Sequence, residues 1–295
     1  MTIAAQSSQD HAVRRSARSL PPAYSWRAWA ISALLLVITL AVNLPIIAMF
    51  INSFRSTEDI LSTRGLSFTN LSFDNYRYLI DRTPFFSYLG NSAIISVGGT
   101  ALTILAASLA GYALSRYRRP VLTGYSRTLL LVQMFPLILA LIPLFVLFRN
   151  LGLVNTRTSV ILLYTVIHLP FATWMFRAYF DAIPRELEEA AMVDGSTRFG
   201  AFARIVIRLS GPGIAAVTIF SFLFSYNEYL IASIFLRDEE LMTVPVGIQM
   251  FIQQFQTDWG SLMAAATLAM LPTFVLFLFV QKYMVYGAVS GAVKG

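Results

Sequence analysis

Six runs of apolar residues, each long enough to cross a bilayer as a helix, are the feature that most limits what this chain can fold into. A hydrocarbon core about 30 Å thick is spanned by about 20 apolar residues in an α-helix. Only 13% of the residues are charged, about half the proportion in a soluble domain. We therefore predict an all-α integral membrane protein with six transmembrane helices, whose approximate bounds are 28–51, 91–114, 128–148, 159–176, 212–236 and 262–280.

The basic residues predict how these spans are oriented. Lys and Arg are enriched in cytoplasmic loops next to membrane spans. If the amino terminus lies inside, the inner segments hold most of the 22 basic residues, and the outer loops are neutral to acidic. Both termini are therefore expected in the cytoplasm. The net charge of +7 is then a signal of topology, with membrane lipid as the neighbour, and it does not indicate a nucleic-acid partner.

Two regions differ in composition. Residues 1–25 are rich in Ser, Gln and Arg and contain Pro21-Pro22, which predicts a disordered cytoplasmic arm. Residues 26–295 form the predicted transmembrane domain. Its first apolar run exceeds the ~7–15 residues of a cleavable signal peptide, so we expect this run to remain as an anchor.

The residues needed for enzyme chemistry are missing from the sequence. The only lysines are Lys282 and Lys294, and neither follows a phosphate-binding loop, so ATP hydrolysis by this chain is not expected. The histidines, His11 and His168, have no second ligand nearby in a metal-binding pattern, and cysteine is absent. We predict a non-catalytic protein with no cofactor, no metal site and no catalytic residue.

One acidic residue, Glu228, lies well inside a predicted span, in the stretch FSFLFSYNEYLIASIFL. A carboxylate at the centre of a membrane helix costs about 2.5–3.5 kcal/mol on insertion scales, so it should face a cavity, a partner or the bundle interior. With Tyr226 and Asn227, which can bond hydroxylated ligands, it is a candidate for a translocation path. The alternative is that Glu228 pairs with another helix or lies near the outer interface.

A polar passage separates the fourth and fifth spans, and its pattern predicts a short helix over about 184–195. Pro184 suits a first helical turn, and the acidic residues that follow it favour the positive end of the helix dipole. Ala190 and Ala191 give one face small side chains, and Gly195 suits a left-handed stop. The passage ELEEAAMVDGSTRFGAFARIVIRLSGPG then continues with a second helix, which Ser196 or Thr197 can cap.

These residues resemble a known motif. Glu189-Ala190-Ala191-x-x-Asp194-Gly195-Ser196, followed by Phe202 and Ile205, is similar to the EAA motif of permease subunits of binding-protein-dependent ABC importers. The chain departs from the motif in having Ser196 for the usual Ala and Arg208 where a proline falls. The stretches SYNEYLIASIFL and TVPVGIQ and the carboxyl terminus look like the carbohydrate branch, and specifically like the shorter of the two permeases in maltose-type importers.

The resemblance implies the function and the partners. The polar passage would be a coupling helix between spans 4 and 5 that contacts an ATPase subunit through Glu189, Ala190, Ala191, Asp194, Gly195, Ser196 and Phe202. The tail residues Ser290, Gly291, Lys294 and Gly295 would also contact the ATPase subunits. Expected partners are a homologous second permease, two ABC ATPase subunits and an extracytoplasmic sugar-binding protein.

The implied function is the import of a sugar, an oligosaccharide or a sugar derivative, across the cytoplasmic (inner) membrane of a prokaryote. ATP hydrolysis on the separate ATPase subunits would drive it. An ion-coupled secondary transporter or channel subunit is the alternative, although the sequence shows no internal repeat that such a transporter would need.

Overall fold

The computed structural model describes residues 26–63, 65, 67–252 and 257–292. Within these ranges the chain is helical, apart from turns and one isolated β-bridge between Ile252 and Thr257, so the predicted all-α class is confirmed. In chain order the helices up to the polar passage are α1 (Trp26–Asn52), α2 (Thr57–Ser62), α3 (Asp74–Arg82), α4 (Phe85–Arg116), α5 (Pro120–Met134), α6 (Leu137–Asn150) and α7 (Arg157–Asp181). The helices that follow are α8 (Glu186–Val193), α9 (Arg198–Leu209), α10 (Gly211–Tyr226), α11 (Leu230–Phe235), α12 (Val244–Ile248) and α13 (Trp259–Ala292).

The chain divides into two compact units, residues 1–49 and 50–295. The predicted arm, residues 1–25, lies outside the described residues. In the first unit, the polar side chains of α1 bond to the helix itself. Thr39 Oγ1 donates to the Leu35 carbonyl at 2.8 Å, and Asn43 Nδ2 donates to the Thr39 carbonyl at 2.8 Å. Such bonds let polar side chains lie in an apolar helix without an unpaired donor.

The second unit is organised around the crossing of α4 and α7. A Cβ atom placed on Gly111 would lie 2.8 Å from the Cβ of Phe176 and 3.1 Å from the carbonyl oxygen of Thr173. On Gly99 it would lie 3.4 Å from the Cβ of Tyr164. The two helices therefore approach so closely because glycine presents no side chain at the crossing. α10 packs against both of them.

Apolar side chains fill the space at the two ends of this crossing. Near the end of α7, one buried cluster contains Ala107, Ala172, Phe176, Phe180, Phe202, Val206 and Val217. Near the start of α7, another contains residues of α4, α6, α7 and α11, among them Ile95, Phe148, Val160, Tyr164, Ile231 and Phe235. The passage between α7 and α10 therefore contributes to the core through Phe202 and Val206.

Candidate membrane helices number four to six in the described part of the chain. Four are long and apolar enough to cross a bilayer alone, namely Ala28–Asn52, Phe85–Arg116, Arg157–Asp181 and Trp259–Tyr283. Two bent pairs also qualify if each pair counts as one span. α5 and α6 meet at 104°, and α9 and α10 meet at 77°.

Two of the predicted spans are interrupted. The run 128–148 contains the bend between α5 and α6, at Phe135 and Pro136, where proline disfavours a helical conformation in the preceding residue. The run 212–236 contains α10, which is 16 residues long, a non-helical break, and α11, which is six residues long. Other prolines, Pro45, Pro143, Pro170 and Pro272, stay inside helices.

Polar side chains at the start of α4 hold the segment that follows α11. Asn91 Nδ2 donates to the carbonyls of Glu240 at 2.7 Å and Met242 at 2.9 Å. Its Oδ1 accepts from Arg157 Nε at 2.8 Å. These contacts fix the segment 236–251 at the amino-terminal end of α4. The polar passage lies at the other end of this 32-residue helix, where Arg116 bonds to it 25 residues after Asn91, about 38 Å away at 1.5 Å per residue.

Candidate functional site

The polar passage folds as two helices joined by a tight turn, and we call this segment, residues 186–209, the hook. α8 ends in a Schellman motif, in which Gly195 N–H donates to the Met192 carbonyl at 3.1 Å and Ser196 N–H donates to the Ala191 carbonyl at 2.9 Å. Gly195 has φ +87°, a left-handed conformation that L-residues with a Cβ adopt at a cost. The left-handed stop predicted at Gly195 is therefore confirmed.

The second arm of the hook, α9, begins at Thr197 and packs inward. Thr197 Oγ1 accepts from Gly200 N–H at 3.0 Å, so Thr197 is the cap and Ser196 is not. Phe202 is 5% exposed, and its ring lies 4.6 Å from the ring of Tyr112 and 6.2 Å from that of Phe180, centroid to centroid. Aromatic packing thus fixes α9 against α4 and α7.

The arm then bends into the next helix without the proline of the EAA motif. Residues Phe202–Val206 form a π-helical turn, and Arg208 lies exposed in the last turn of α9. The 77° bend follows at Ser210, and Pro212 lies in the first turn of α10, where its missing N–H leaves no bond unmade. Pro212 therefore occupies the start of the new helix. The bend between α9 and α10 forms although Arg208 stands where the motif has proline.

The first arm is held by a buried ion pair. Glu188 Oε1 accepts from Arg116 Nε at 2.6 Å, and the two side chains are 7% and 8% exposed. Glu188 Oε2 accepts from the Tyr112 hydroxyl at 2.6 Å. Both carboxylate oxygens are therefore bonded. We call Tyr112, Arg116 and Glu188 the anchor cluster.

Arg116 also bonds to the end of α7. Its Nη1 donates to the Phe180 carbonyl at 2.9 Å, and its Nη2 donates to the Ile183 carbonyl at 3.2 Å. The last carbonyls of a helix have no partner within the helix and carry partial negative charge. The guanidinium of Arg116 therefore bonds at once to the Phe180 carbonyl in the last turn of α7, to the Ile183 carbonyl just beyond that helix and to the carboxylate of Glu188.

Two further bonds close the network around the anchor cluster. The Ser115 hydroxyl donates to Asp181 Oδ1 at 2.6 Å, and Arg185 Nη2 donates to the Ser115 carbonyl at 2.9 Å. A cavity of about 150 Å³ lies beside it and is lined by Tyr112, Arg116, Tyr117, Arg185, Glu188, Glu189, Met192 and Arg198. α4, α7 and α8 thus meet in one polar cluster.

The residues predicted to contact an ATPase subunit fall into two groups. Glu189, Ala190, Asp194 and Gly195 are exposed, and Ala191 and Ser196 are half-buried. Phe202, by contrast, faces inward. The hook therefore presents the motif residues of α8 outward and uses Phe202 to hold its second arm.

Sequence reasoning missed the anchor cluster. In the sequence, Glu188 is one of three acids near Pro184 that indicate only a favourable helix dipole, and Arg116 is one of the basic residues that indicate only topology. The available signal was the position of Arg116 at the last residue of a long apolar helix, where a cation commonly serves the free carbonyls of a helix end. The pairing with Glu188, 72 residues away, needed the fold.

The second predicted site is the translocation path at Tyr226, Asn227 and Glu228, and in the structure these residues lie at the end of a helix. Glu228, predicted to lie well inside the span 212–236 or else to pair with another helix, lies in the non-helical break between α10 and α11. Its carboxylate accepts from Ile231 N–H at 2.9 Å, from Ala232 N–H at 3.2 Å and from the Tyr164 hydroxyl at 2.8 Å. Glu228 therefore accepts from free N–H groups in the first turn of α11 and ties that helix to α7.

The neighbours of Glu228 point in different directions. Tyr226 is buried, and its hydroxyl donates to the Ala269 carbonyl of α13 at 3.0 Å. Asn227 is exposed, and its Nδ2 donates to the Leu223 carbonyl at 2.8 Å. His168 lies buried with its Nδ1 3.4 Å from Ser225 Oγ. The structure thus does not gather Tyr226, Asn227 and Glu228 into one cluster.

The predicted tail site is described only in part. Ser290 and Gly291 lie in the last turns of α13, and Lys294 and Gly295 lie outside the described residues. Within the described ranges no group of three His, Asp or Glu side chains could hold a metal ion.

Comparison with known proteins identifies the family. Residues 99–286 match the family model of the inner membrane component of binding-protein-dependent transport systems. The chain is 39% identical to the sulfoquinovosyl glycerol transport system permease protein SmoH of Agrobacterium fabrum, over 75% of this chain and 78% of that protein. It is 35% identical to the trehalose/maltose transport system permease protein MalG of Thermococcus litoralis, over 85% of this chain and 91% of that protein.

A solved structure has the same fold. It is the crystal structure of a bacterial ABC transporter involved in the import of the acidic polysaccharide alginate. One of its chains superposes with a TM-score of 0.74 at 24% identity and covers 89% of this chain and 99% of that one. The protein belongs to the family of binding-protein-dependent transport system inner membrane components. It is a membrane-embedded permease subunit of an ABC importer, and the alternative of an ion-coupled transporter or channel is not favoured.

Proposed function

We propose that this protein is the permease subunit through which an ABC importer moves a sugar across the cytoplasmic membrane, and that the hook couples it to an ATPase subunit. The observation that carries the coupling role is the form of the hook. A short helix ends in a glycine stop, exposes Glu189, Ala190 and Asp194, and is fixed from behind to α4 and α7. Small exposed side chains permit close approach of a partner, and the carboxylates offer it polar contacts.

The substrate class rests on the relatives. The names of the two relatives include sulfoquinovosyl glycerol and trehalose/maltose, which are sugars or sugar derivatives. We propose that this chain also serves an oligosaccharide or a sugar derivative. The neutral to acidic character of the predicted outer loops agrees with a docking surface for an extracytoplasmic binding protein.

The proposed assembly contains four further subunits. A homologous second permease would complete the path, and two ABC ATPase subunits would bind the hooks and hydrolyse ATP, so this chain is not the enzyme. A sugar-binding protein would deliver the substrate. Such a complex has been solved for another protein, the bacterial alginate ABC transporter bound to an alginate pentasaccharide-bound periplasmic protein.

Six spans with both termini in the cytoplasm fit this arrangement, with the bent pair α5–α6 taken as one span and α10 followed by α11 taken as the fifth. The tail residues Ser290, Gly291, Lys294 and Gly295 would follow the last span on the ATPase side. Residues 1–25 would be the cytoplasmic arm.

The coupling role is tested by proline at Gly195. The full importer, with its ATPase subunits and binding protein, is reconstituted in vesicles, and substrate uptake and ATP hydrolysis are measured. Gly195→Pro fixes φ near −65° and removes the N–H that bonds to Met192, so α8 loses its stop. We expect loss of uptake and of docking by the ATPase subunits. Glu189→Trp tests the exposed face in the same assays.

Gly152 supplies a matched control. It also has a positive φ, of +68°, donates its N–H to the Arg149 carbonyl at 3.0 Å, and lies in the turn between α6 and α7. Gly152→Pro should carry a similar local strain but leave ATPase docking unchanged. Normal uptake and docking in the Gly195→Pro and Glu189→Trp variants would refute the coupling role.

The path role proposed for Tyr226, Asn227 and Glu228 needs a separate test. Glu228 already accepts bonds from Ile231 and Ala232, so its replacement by Gln keeps an acceptor for the cap and removes the charge. A path role predicts a changed KM for the substrate in Glu228→Gln and in Asn227→Ala. If only the thermal stability of Glu228→Ala falls and transport by both other variants is normal, these residues serve structure alone.

A further inference from the structure

We propose that the anchor cluster is the mechanical link of this permease: Tyr112, Arg116 and Glu188 are positioning residues that transfer movement of α8 to the crossing of α4 and α7. The inference rests on the proposed coupling role of the hook. It adds a residue-level route from the hook into the spans that the motif residues, which face outward, do not supply.

The first step is that the buried side of α8 is fastened to α4 through Glu188. Its exposed face carries Glu189 and Asp194, while Glu188, on the opposite side, is the residue of α8 that is buried. A buried charge is costly unless it is paired and fully bonded. Glu188 meets this requirement only while α8 stays seated on Arg116 and Tyr112.

The second step is the geometry of the bonds. The guanidinium is a rigid planar fork, so bonds made through its separate nitrogens fix direction as well as distance. Arg116 uses Nε for Glu188 and its two terminal nitrogens for Phe180 and Ile183 of the α7 end. A displacement of α8 therefore acts on α4 and α7 together.

The third step is that α4 and α7 move together when α8 is displaced. Their backbones touch at Gly111, about one turn before Arg116, where a Cβ would lie 3.0 Å from the backbone nitrogen of Arg177. Helices in such close contact move as one body, since close-packed interiors transmit strain. The anchor cluster thus connects the hook to a stiff helix pair that runs the length of the spans.

The experiment uses the complete importer in vesicles and compares substrate uptake with ATP hydrolysis. Glu188→Gln keeps the shape and removes the charge, Arg116→Lys keeps the charge and removes the fork, and Tyr112→Phe removes one hydrogen bond. Arg77→Gln is the control, because it breaks an exposed ion pair with Asp74, at 4.0 Å in α3, that has no part in the anchor cluster.

We expect the substrate moved per ATP hydrolysed to fall about tenfold in Glu188→Gln and Arg116→Lys, within the 5–150-fold range of typical coupling between sites. ATPase subunits should still bind, because the outward face of α8 is unchanged. In the double variant Glu188→Gln/Arg116→Lys, the substrate moved per ATP should fall no further than in the more impaired single variant, since both substitutions break the same link. Arg77→Gln should behave as the unmodified protein.

Two results separate this inference from the proposed function. In the first, Gly195→Pro abolishes docking and uptake, while Glu188→Gln and Arg116→Lys keep a normal ratio of uptake to hydrolysis. The hook then couples the permease to the ATPase, but the anchor cluster does not transmit the movement. If Gly195→Pro is without effect, the coupling role itself fails. Where Glu188→Gln does not assemble, Tyr112→Phe decides: a normal ratio in that variant overturns the inference, and a lowered ratio with intact assembly supports it.

Discussion

The close crossing of α4 and α7 gives the sharpest prediction about stability. At Gly111 a Cβ would lie 2.8 Å from the Cβ of Phe176, 3.0 Å from the backbone nitrogen of Arg177 and 3.1 Å from the carbonyl oxygen of Thr173. Two of these three atoms belong to the backbone, so no side-chain rotation relieves the contact. Gly111→Ala should therefore force the two helices apart.

The magnitude follows from these distances. Carbon atoms pack best at about 3.5–4.0 Å, so the crossing must open by roughly 0.7 Å or more. Overpacking of this kind typically costs about 1–3 kcal/mol. Gly98→Ala on the same helix meets only the side chain of Ile161, with the nearest atom, Cδ1, at 3.1 Å, and that flexible end can turn away at a lower cost.

Thermal unfolding of the importer complex in detergent measures the effect. We expect the midpoint to fall most for Gly111→Ala and less for Gly98→Ala. Gly124→Ala is the control, because a Cβ there meets nothing within 4 Å and alanine favours the helix. Equal midpoints for Gly111→Ala and Gly124→Ala would show that the crossing is not as tight as these distances require.

Three other outcomes are expected. Phe202→Ala should cost about 3–5 kcal/mol of stability, whereas Phe199→Ala should change stability little, because Phe199 is 69% exposed. Equal shifts of the unfolding midpoint in the two variants would contradict the inward packing of α9. Gly195→Ala should weaken ATPase binding more than Gly195→Asn, because alanine strains a left-handed position by about 1–2 kcal/mol and asparagine tolerates it better; a ranking by side-chain size would argue against this. Asn155→Asp should lower the unfolding midpoint, because Asn155 Nδ2 donates to Asp238 Oδ2 at 2.6 Å and the variant would place two carboxylates face to face. Adding Asp238→Asn should restore the midpoint, and no recovery in the double variant would contradict this reason.

Length and apolar character were sufficient to predict the uninterrupted spans. α1, α4, α7 and α13 each contain a predicted run, and the runs come from a property that any 20-residue window reveals. The stop at Gly195 was also predictable, because only glycine takes a positive φ without cost and an acidic, alanine-rich helix precedes it. These features depend on neighbours in sequence.

The break at Glu228 depends on neighbours in space and was not predictable. Apolar residues flank it on both sides, so the window is as apolar as that of a continuous helix. The break exists because Glu228 bonds to the exposed N–H groups of α11 and because Tyr164 of α7 lies within reach. The anchor cluster has the same origin, since Arg116 and Glu188 meet only after α4 and α7 have packed.

The anchor cluster also has a consequence for the order of synthesis. Arg116 is made 72 residues before Glu188, and α5, α6 and α7 are added in that interval. Until then the guanidinium has neither its carboxylate nor the carbonyls at the end of α7. The hook therefore reaches its final seat only on a chain in which α4 and α7 have already come together, and a seated hook marks a completed crossing of these two helices.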